Sequence, residues 1–197
     1  MTADIKTAVV PIPLEGGTTG YIMAGATRDL PHNYNLVRCA EEVPVDADRV
    51  AYDVATKDFT PFNTDRLVEV IPHVLYDLML GRKLYVGCMG GTGRTGTFLA
   101  SLVAQHPSFD GVHAVAYIRQ VYRRHAVETN AQMDQVIDVA GQAVLDIDAL
   151  DEERQAHDRD HVDFAAMVDH FEPEVHARAR GCFNPWNPVH WWHFLRG

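Results

Sequence analysis

Leu84-Tyr85-Val86-Gly87-Cys88-Met89-Gly90-Gly91-Thr92-Gly93-Arg94-Thr95-Gly96-Thr97 is the stretch whose reading decides the fold. A β-type run, Lys83–Val86, leads straight to a cysteine. The chain then passes through a glycine cluster into an apolar helical run, Thr97–Ala104. Met89, Gly90, Gly91, Thr92 and Gly93 stand between Cys88 and Arg94. Glycines let successive backbone N–H groups turn to one side and form an anion nest. A helix starting near Arg94 points its positive end at the same place. A thiolate at Cys88 is stabilised in such a nest and reactive at neutral pH. Arg94 can grip two phosphoryl oxygens with its planar fork, which lysine cannot do. Such a loop holds a phosphoryl group against the sulfur for in-line attack.

Other glycine loops compete for the same residues. Gly91-x-Gly93-x-x-Gly96 fits the dinucleotide fingerprint. That fingerprint calls for an acidic residue about 20 positions on, at the end of a second strand. Here the following residues read as helix, then helix, with Pro107 between. A phosphate loop of the Gly-Lys-Ser/Thr type lacks its lysine. A nucleotide loop and an inactive structural turn stand as the alternatives.

Cys-x5-Arg-Ser/Thr at a strand–helix junction resembles the signature of the protein tyrosine and dual-specificity phosphatases. The resemblance implies Cys88 as nucleophile, Arg94 as phosphate clamp and Gly91 and Gly93 as loop glycines. It implies Met89, Gly90, Gly91, Thr92 and Gly93 as the substrate-binding loop, and Thr95 as the hydroxyl that helps the thiolate leave in a second step. One departure is plain: the family usually has histidine before the cysteine, and this chain has Gly87.

Cleaving a phosphate ester requires a proton for the leaving oxygen, usually from a carboxylic acid. In the family it comes from an Asp on a loop upstream of the cysteine. Asp58, in Lys57-Asp58-Phe59-Thr60-Pro61-Phe62-Asn63, lies 30 residues before Cys88 and is similarly placed. Asp53 is the runner-up, in a strand position that favours a structural role, and Asp65 falls in the first turn of a helix. Downstream, Ile118 to Gln132 resembles the family's basic helix and Val-Gln/Glu-Thr-x-x-Gln turn. There Glu128 stands where tyrosine-specific members have a water-positioning glutamine, and Gln132 matches the second glutamine. Arg119, Arg123 and Arg124 read equally well as solvated charges or substrate contacts.

Outward from the loop, Thr7–Leu14, Tyr21–Ala24, Tyr34–Ala40 and Arg49–Val54 are candidate strands, the first two split by Glu15-Gly16-Gly17. Leu67, Val70, Ile71, Val74, Leu75 and Leu78 recur at helical spacing, with Gly81 as a stop and Pro72 predicted to kink or split the helix. Asp110 can cap a third helical stretch, and Thr129-Asn130-Ala131-Gln132 has a capping-box pattern. The expected fold is a single three-layer α/β domain, a central mixed sheet flanked by helices, of the protein tyrosine phosphatase type. Residues 1–147 would form the catalytic domain. Residues 148–197 would form an acidic helix and a Trp/His-rich extension, packed on the domain or appended to it.

The 197 residues and 47% apolar content suit one ordinary domain. The net charge of −10 argues against nucleic-acid binding, while a local positive site for an anionic substrate is compatible with it. Cys39, Cys88 and Cys182 lack metal-type spacing and point to a reducing compartment, with Cys39 and Cys182 read as inert. No leader pattern and no run of about 18 apolar residues occurs, so a soluble cytoplasmic protein without membrane contact is expected. His157 and His161, with Asp158, Asp160 and Asp163, have metal-compatible helical spacing but read as a solvated acidic helix; no metal or cofactor is expected. The expected partner is a phosphorylated protein or other phosphate monoester. Inositol phosphates, RNA 5′-triphosphate and an inactive phosphate-binding module are the alternatives. The sequence leaves the oligomeric state open.

Overall fold

The protein is described from a computed structural model over residues 7–143 and 145–156. Five strands form one mixed sheet: β1 (Thr7–Pro13), β2 (Thr19–Ala26), β3 (Asn35–Ala40), β4 (Val50–Thr56) and β5 (Leu84–Cys88). Their spatial order is β1-β2-β5-β3-β4. β1 and β2 pair antiparallel across a turn in which Gly16 and Gly17 take positive φ, as the glycine pair predicts. β5 lies between β2 and β3 and runs parallel to both. Cys88 therefore emerges at the C-terminal edge of the sheet's centre, the edge at which parallel strands bind ligands. β5 runs on to Cys88, past the expected end at Val86, and all five of its residues are buried.

Alternate strand residues, among them Val10, Ile12, Ile22, Ala24, Val37, Cys39, Val86 and Cys88, share one core with four helices. Each buried valine or isoleucine among them contributes about 1.5–3 kcal/mol by leaving water. α1 (Thr64–Met79) buries the predicted Leu67, Val70, Ile71, Val74, Leu75 and Leu78. Asn63 caps it by accepting from the Arg66 N–H at 2.9 Å. Its end is a Schellman turn: Gly81 takes φ 70°, its N–H reaches Leu78 O, and the Arg82 N–H reaches Asp77 O. Pro72 does not split this helix. Val70, Ile71 and Val74 are buried on either side of it, and their packing outweighs the one hydrogen bond that proline removes.

α2 (Gly93–Val103) begins inside the glycine cluster, earlier than the apolar pattern suggests, and every one of its residues is buried. α3 (Gly111–Val121) is capped by Asp110, which accepts from the His113 N–H at 2.7 Å. α4 (Asn130–Asp138) has the predicted capping box between Thr129 and Gln132. The first compact unit ends at Leu150, and residues 147–156 are helical. His157, His161, Cys182 and the Trp/His-rich tail lie outside the described residues. Among the described residues, no helix is long and apolar enough to cross a membrane.

Candidate active site

The turn from β5 into α2 wraps around one sulfur atom. Cys88 is 3% exposed, and the Gly91 N–H donates to its Sγ at 3.2 Å. Gly91 has φ 68°, and a Cβ there would lie 2.3 Å from the carbonyl carbon of Gly25. Only glycine lets the loop rest on the β2 backbone at this point. Side chains hold several of the loop's oxygens from outside. Thr27 Oγ1 donates to Cys88 O at 3.2 Å, and Tyr122 Oη donates to Gly91 O at 2.5 Å. Arg123 Nη1 donates to both Gly90 O and Thr92 Oγ1 at 3.0 Å. Met89 points outward, half exposed. Gly87 has a steric reason: a Cβ there would lie 2.8 Å from Thr27 Oγ1 and 3.1 Å from Tyr85 Cε1.

Arg94, in the first turn of α2, is 1% exposed. Its Nη1 donates to Glu42 Oε2 and to Thr56 O, both at 2.7 Å. Its Nη2 donates to Glu42 Oε1 at 2.5 Å and lies 3.0 Å from Asp58 Oδ1. Burial alone would lower the Arg94 pKa. The Glu42 hydrogen bond, with the charges of Cys88 and Asp58, overcomes this and raises it. The same bond holds the Glu42 carboxyl below its usual range. Among the described residues, three buried side-chain polar atoms have no partner: Arg94 Nε, Thr95 Oγ1 and Gln132 Nε2.

Asp58 sits on the loop between β4 and α1, its side chain half exposed, accepting from the Phe59 N–H at 3.1 Å. Thr56 and Thr60 close this loop: Thr60 Oγ1 donates to Lys57 O at 2.8 Å and lies 2.9 Å from Thr56 Oγ1. Phe59 takes φ 60°, an uncommon conformation for an aromatic residue, and is 60% exposed. Asp53 is engaged elsewhere, accepting from Arg38 Nε at 3.2 Å and the Ala55 N–H at 3.0 Å. Asp65 occupies the first turn of α1.

The turn before α4 reaches the loop from the other side. A Cβ on Gly93 would lie 2.2 Å from Glu128 Oε2 and 3.3 Å from Gln132 Nε2, so both side chains rest against that glycine. Gln132 Oε1 accepts from the backbone N–H groups of Glu128 and Thr129, at 2.8 and 3.2 Å. Val127 holds φ 60°, an outlier for a β-branched residue. Arg119 secures it by donating to Ala126 O and Val127 O at 2.9 Å. Arg119 and Arg123 are thus tied to backbone, while Arg124 is exposed.

Glu42, Thr27 and Tyr122 were not among the residues the sequence reading singled out. For Glu42 a signal existed: it lies two positions beyond β3, the parallel neighbour of β5, at the same sheet edge as Cys88. Thr27 and Tyr122 carry no comparable signal. Cys39 is fully buried on β3; burial, then the nearby Cys88, pushes its thiol well up, consistent with an inert group. Among the described residues, no cluster of His, Cys, Asp and Glu is arranged to hold a metal.

With strand order, loop and helices in place, the chain has a protein tyrosine phosphatase-like fold. A mutant form of Tk-PTP matches with a TM-score of 0.52 at 21% identity, over 68% of this chain and 95% of that one. Kinase associated phosphatase, with its catalytic-site cysteine replaced by serine, matches with a TM-score of 0.54 at 13% identity, over 71% and 97%. PTPMT1 in complex with PI(5)P matches with a TM-score of 0.52 at 17% identity, over 62% and 91%. In sequence, an uncharacterized protein of Methanocaldococcus jannaschii, MJECL20, is 36% identical over 70 residues. That match spans 35% of this chain and 45% of the relative's length. No protein-family model matches the chain.

Proposed function

We propose that the chain is a cysteine-dependent phosphatase of the tyrosine/dual-specificity type, hydrolysing phosphate monoesters on phosphorylated proteins. One observation carries the reading: the three partnerless buried polar atoms all belong to residues in or against the Cys88–Thr95 loop. Buried polar atoms are almost always satisfied, so three together mark where a polar ligand belongs. Arg94 spends its terminal nitrogens on Glu42, Thr56 and Asp58 and keeps Nε free. That leaves a guanidinium fixed in direction with a donor for a phosphoryl oxygen.

In the first step the Cys88 thiolate attacks phosphorus, the phosphorus–oxygen ester bond breaks, and Asp58 gives its proton to the leaving oxygen. The product is a phosphocysteine. In the second step water attacks phosphorus and its proton passes to Asp58. The sulfur–phosphorus bond breaks, with the Thr95 hydroxyl donating to the departing sulfur. Met89, Gly90, Gly91, Thr92 and Gly93 surround the phosphoryl oxygens through their backbone. Glu128 and Gln132 border the loop at Gly93, on the side where hydrolytic water would enter.

Hydrolysis of p-nitrophenyl phosphate without added metal tests the reading, with wild type and Cys88→Ser side by side. Turnover that disappears in Cys88→Ser is expected. No turnover by wild type between about pH 5 and 7 would leave a phosphate-binding module instead of an enzyme. Turnover that survives Cys88→Ser would remove the sulfur from the mechanism.

A further inference from the structure

We infer that Arg123 is a positioning residue that prepares Cys88 as a thiolate, acting through a single peptide plane. The inference rests on the reading of Cys88 as nucleophile and concerns how its sulfur is tuned. In a trans peptide the C=O and N–H point in opposite directions. The Gly90–Gly91 peptide uses both ends: its oxygen accepts from Arg123 Nη1 at 3.0 Å, and its N–H donates to Cys88 Sγ at 3.2 Å. A cation on the carbonyl polarises the peptide and strengthens the N–H as a donor. A thiolate gains more from that donor than a thiol does, so the arrangement favours the charged sulfur.

The neighbouring peptide is fixed in the same sense. Gly91 O accepts from Tyr122 Oη at 2.5 Å, which turns the Thr92 N–H toward the opposite side. Burial pushes the Tyr122 hydroxyl up, so it remains a donor at neutral pH. The Arg123 guanidinium lies 5.3 Å from the Tyr122 ring centroid, and its Nη1 also holds Thr92 Oγ1, so the two side chains act as one brace. At Gly87 a side chain would crowd Thr27 from its first atom, and the chain carries no imidazole there. Support for the loop comes instead from beyond the end of α3.

The test is the rate of Cys88 alkylation by iodoacetamide against pH, read by mass spectrometry on the Cys88 peptide of the full chain. Arg123→Met should raise the midpoint by about one pH unit, slowing alkylation below the midpoint about tenfold. Arg123→Gln keeps a donor without the charge and should shift the same way, giving a second reading if the methionine variant fails to fold. Arg123→Lys should return most of the shift. Arg124→Met removes an equal charge that lies exposed, and should leave the midpoint in place. An unchanged midpoint in folded Arg123→Met or Arg123→Gln, or an equal shift in Arg124→Met, would overturn the inference. A raised midpoint in a chain that hydrolyses no ester would uphold it while removing the phosphatase reading; turnover with an unmoved midpoint would do the reverse.

Discussion

Replacing Glu42 by glutamine strikes the residue that aims Arg94. The carboxylate accepts from both terminal nitrogens of a guanidinium that is 1% exposed. Glutamine can accept one of these bonds and turns an NH2 group toward the other donor. The loss is about one charge-assisted hydrogen bond, ~1.5–3 kcal/mol. Glu42 is 30% exposed, so water recovers part of this and the lower half of the range applies. For a chain of this size the loss lowers Tm by roughly 3–8 °C. An arginine no longer held in direction should also lower kcat/KM about tenfold or more toward an aryl phosphate. The pH dependence has a definite sign. Because Arg94 holds the Glu42 pKa below its ordinary 4.5, the carboxylate's contribution is fully present above that value. It disappears as pH falls through the lower folded value, where Glu42 becomes neutral like glutamine. The Tm gap between wild type and Glu42→Gln should therefore be widest near neutral pH and close in acid. Equal Tm and equal kcat/KM at pH 7, or a gap that survives undiminished in strong acid, would refute this account of the pair.

Asp58→Ala should lower kcat by about 100-fold or more and remove the basic limb of its pH profile, since that limb reports loss of the donated proton; an unchanged limb would remove Asp58 from that role. Thr95→Val should leave the first step fast and slow the second, visible as a stoichiometric burst of nitrophenol followed by a turnover rate reduced several-fold; loss of the burst along with turnover would place Thr95 in the first step. Gly91→Ala should abolish protection of Cys88 by inorganic phosphate and lower Tm by several degrees, because its Cβ would meet the Gly25 and Ala26 backbone at 2.3–2.6 Å; protection at the wild-type phosphate concentration would show that the loop does not rest on β2 as described.

What was legible in the sequence was what neighbouring residues decide together. The strand–cysteine–glycine–arginine run announced β5, the loop and α2. Asp110 and Thr129 announced their helix caps, and the apolar spacing from Leu67 to Leu78 announced α1. Local rules were incomplete where burial outweighed them. Pro72 stays within a continuous helix, and α2 starts at Gly93 despite the low helix propensity of glycine. The illegible part of the site is the set of residues that reach the loop from far along the chain. Glu42 is 52 residues from Arg94, and Tyr122 is 31 from Gly91. Those meetings depend on the sheet order and on how the chain leaves α3, which no local pattern encodes. Asp58 lies between these cases, its spacing readable and its approach to Arg94 visible only in three dimensions.

The contact between Gly87 and Thr27 also bears on how such a loop can diversify. A histidine introduced at 87 alone meets Thr27 Oγ1 at its first side-chain atom, and shortening Thr27 alone releases the carbonyl of Cys88. Each single step costs stability, and neither produces a histidine-supported loop. The glycine before the cysteine is thus coupled to Thr27, and through the Cys88 carbonyl to the loop itself, so a side chain at 87 is felt in two segments at once.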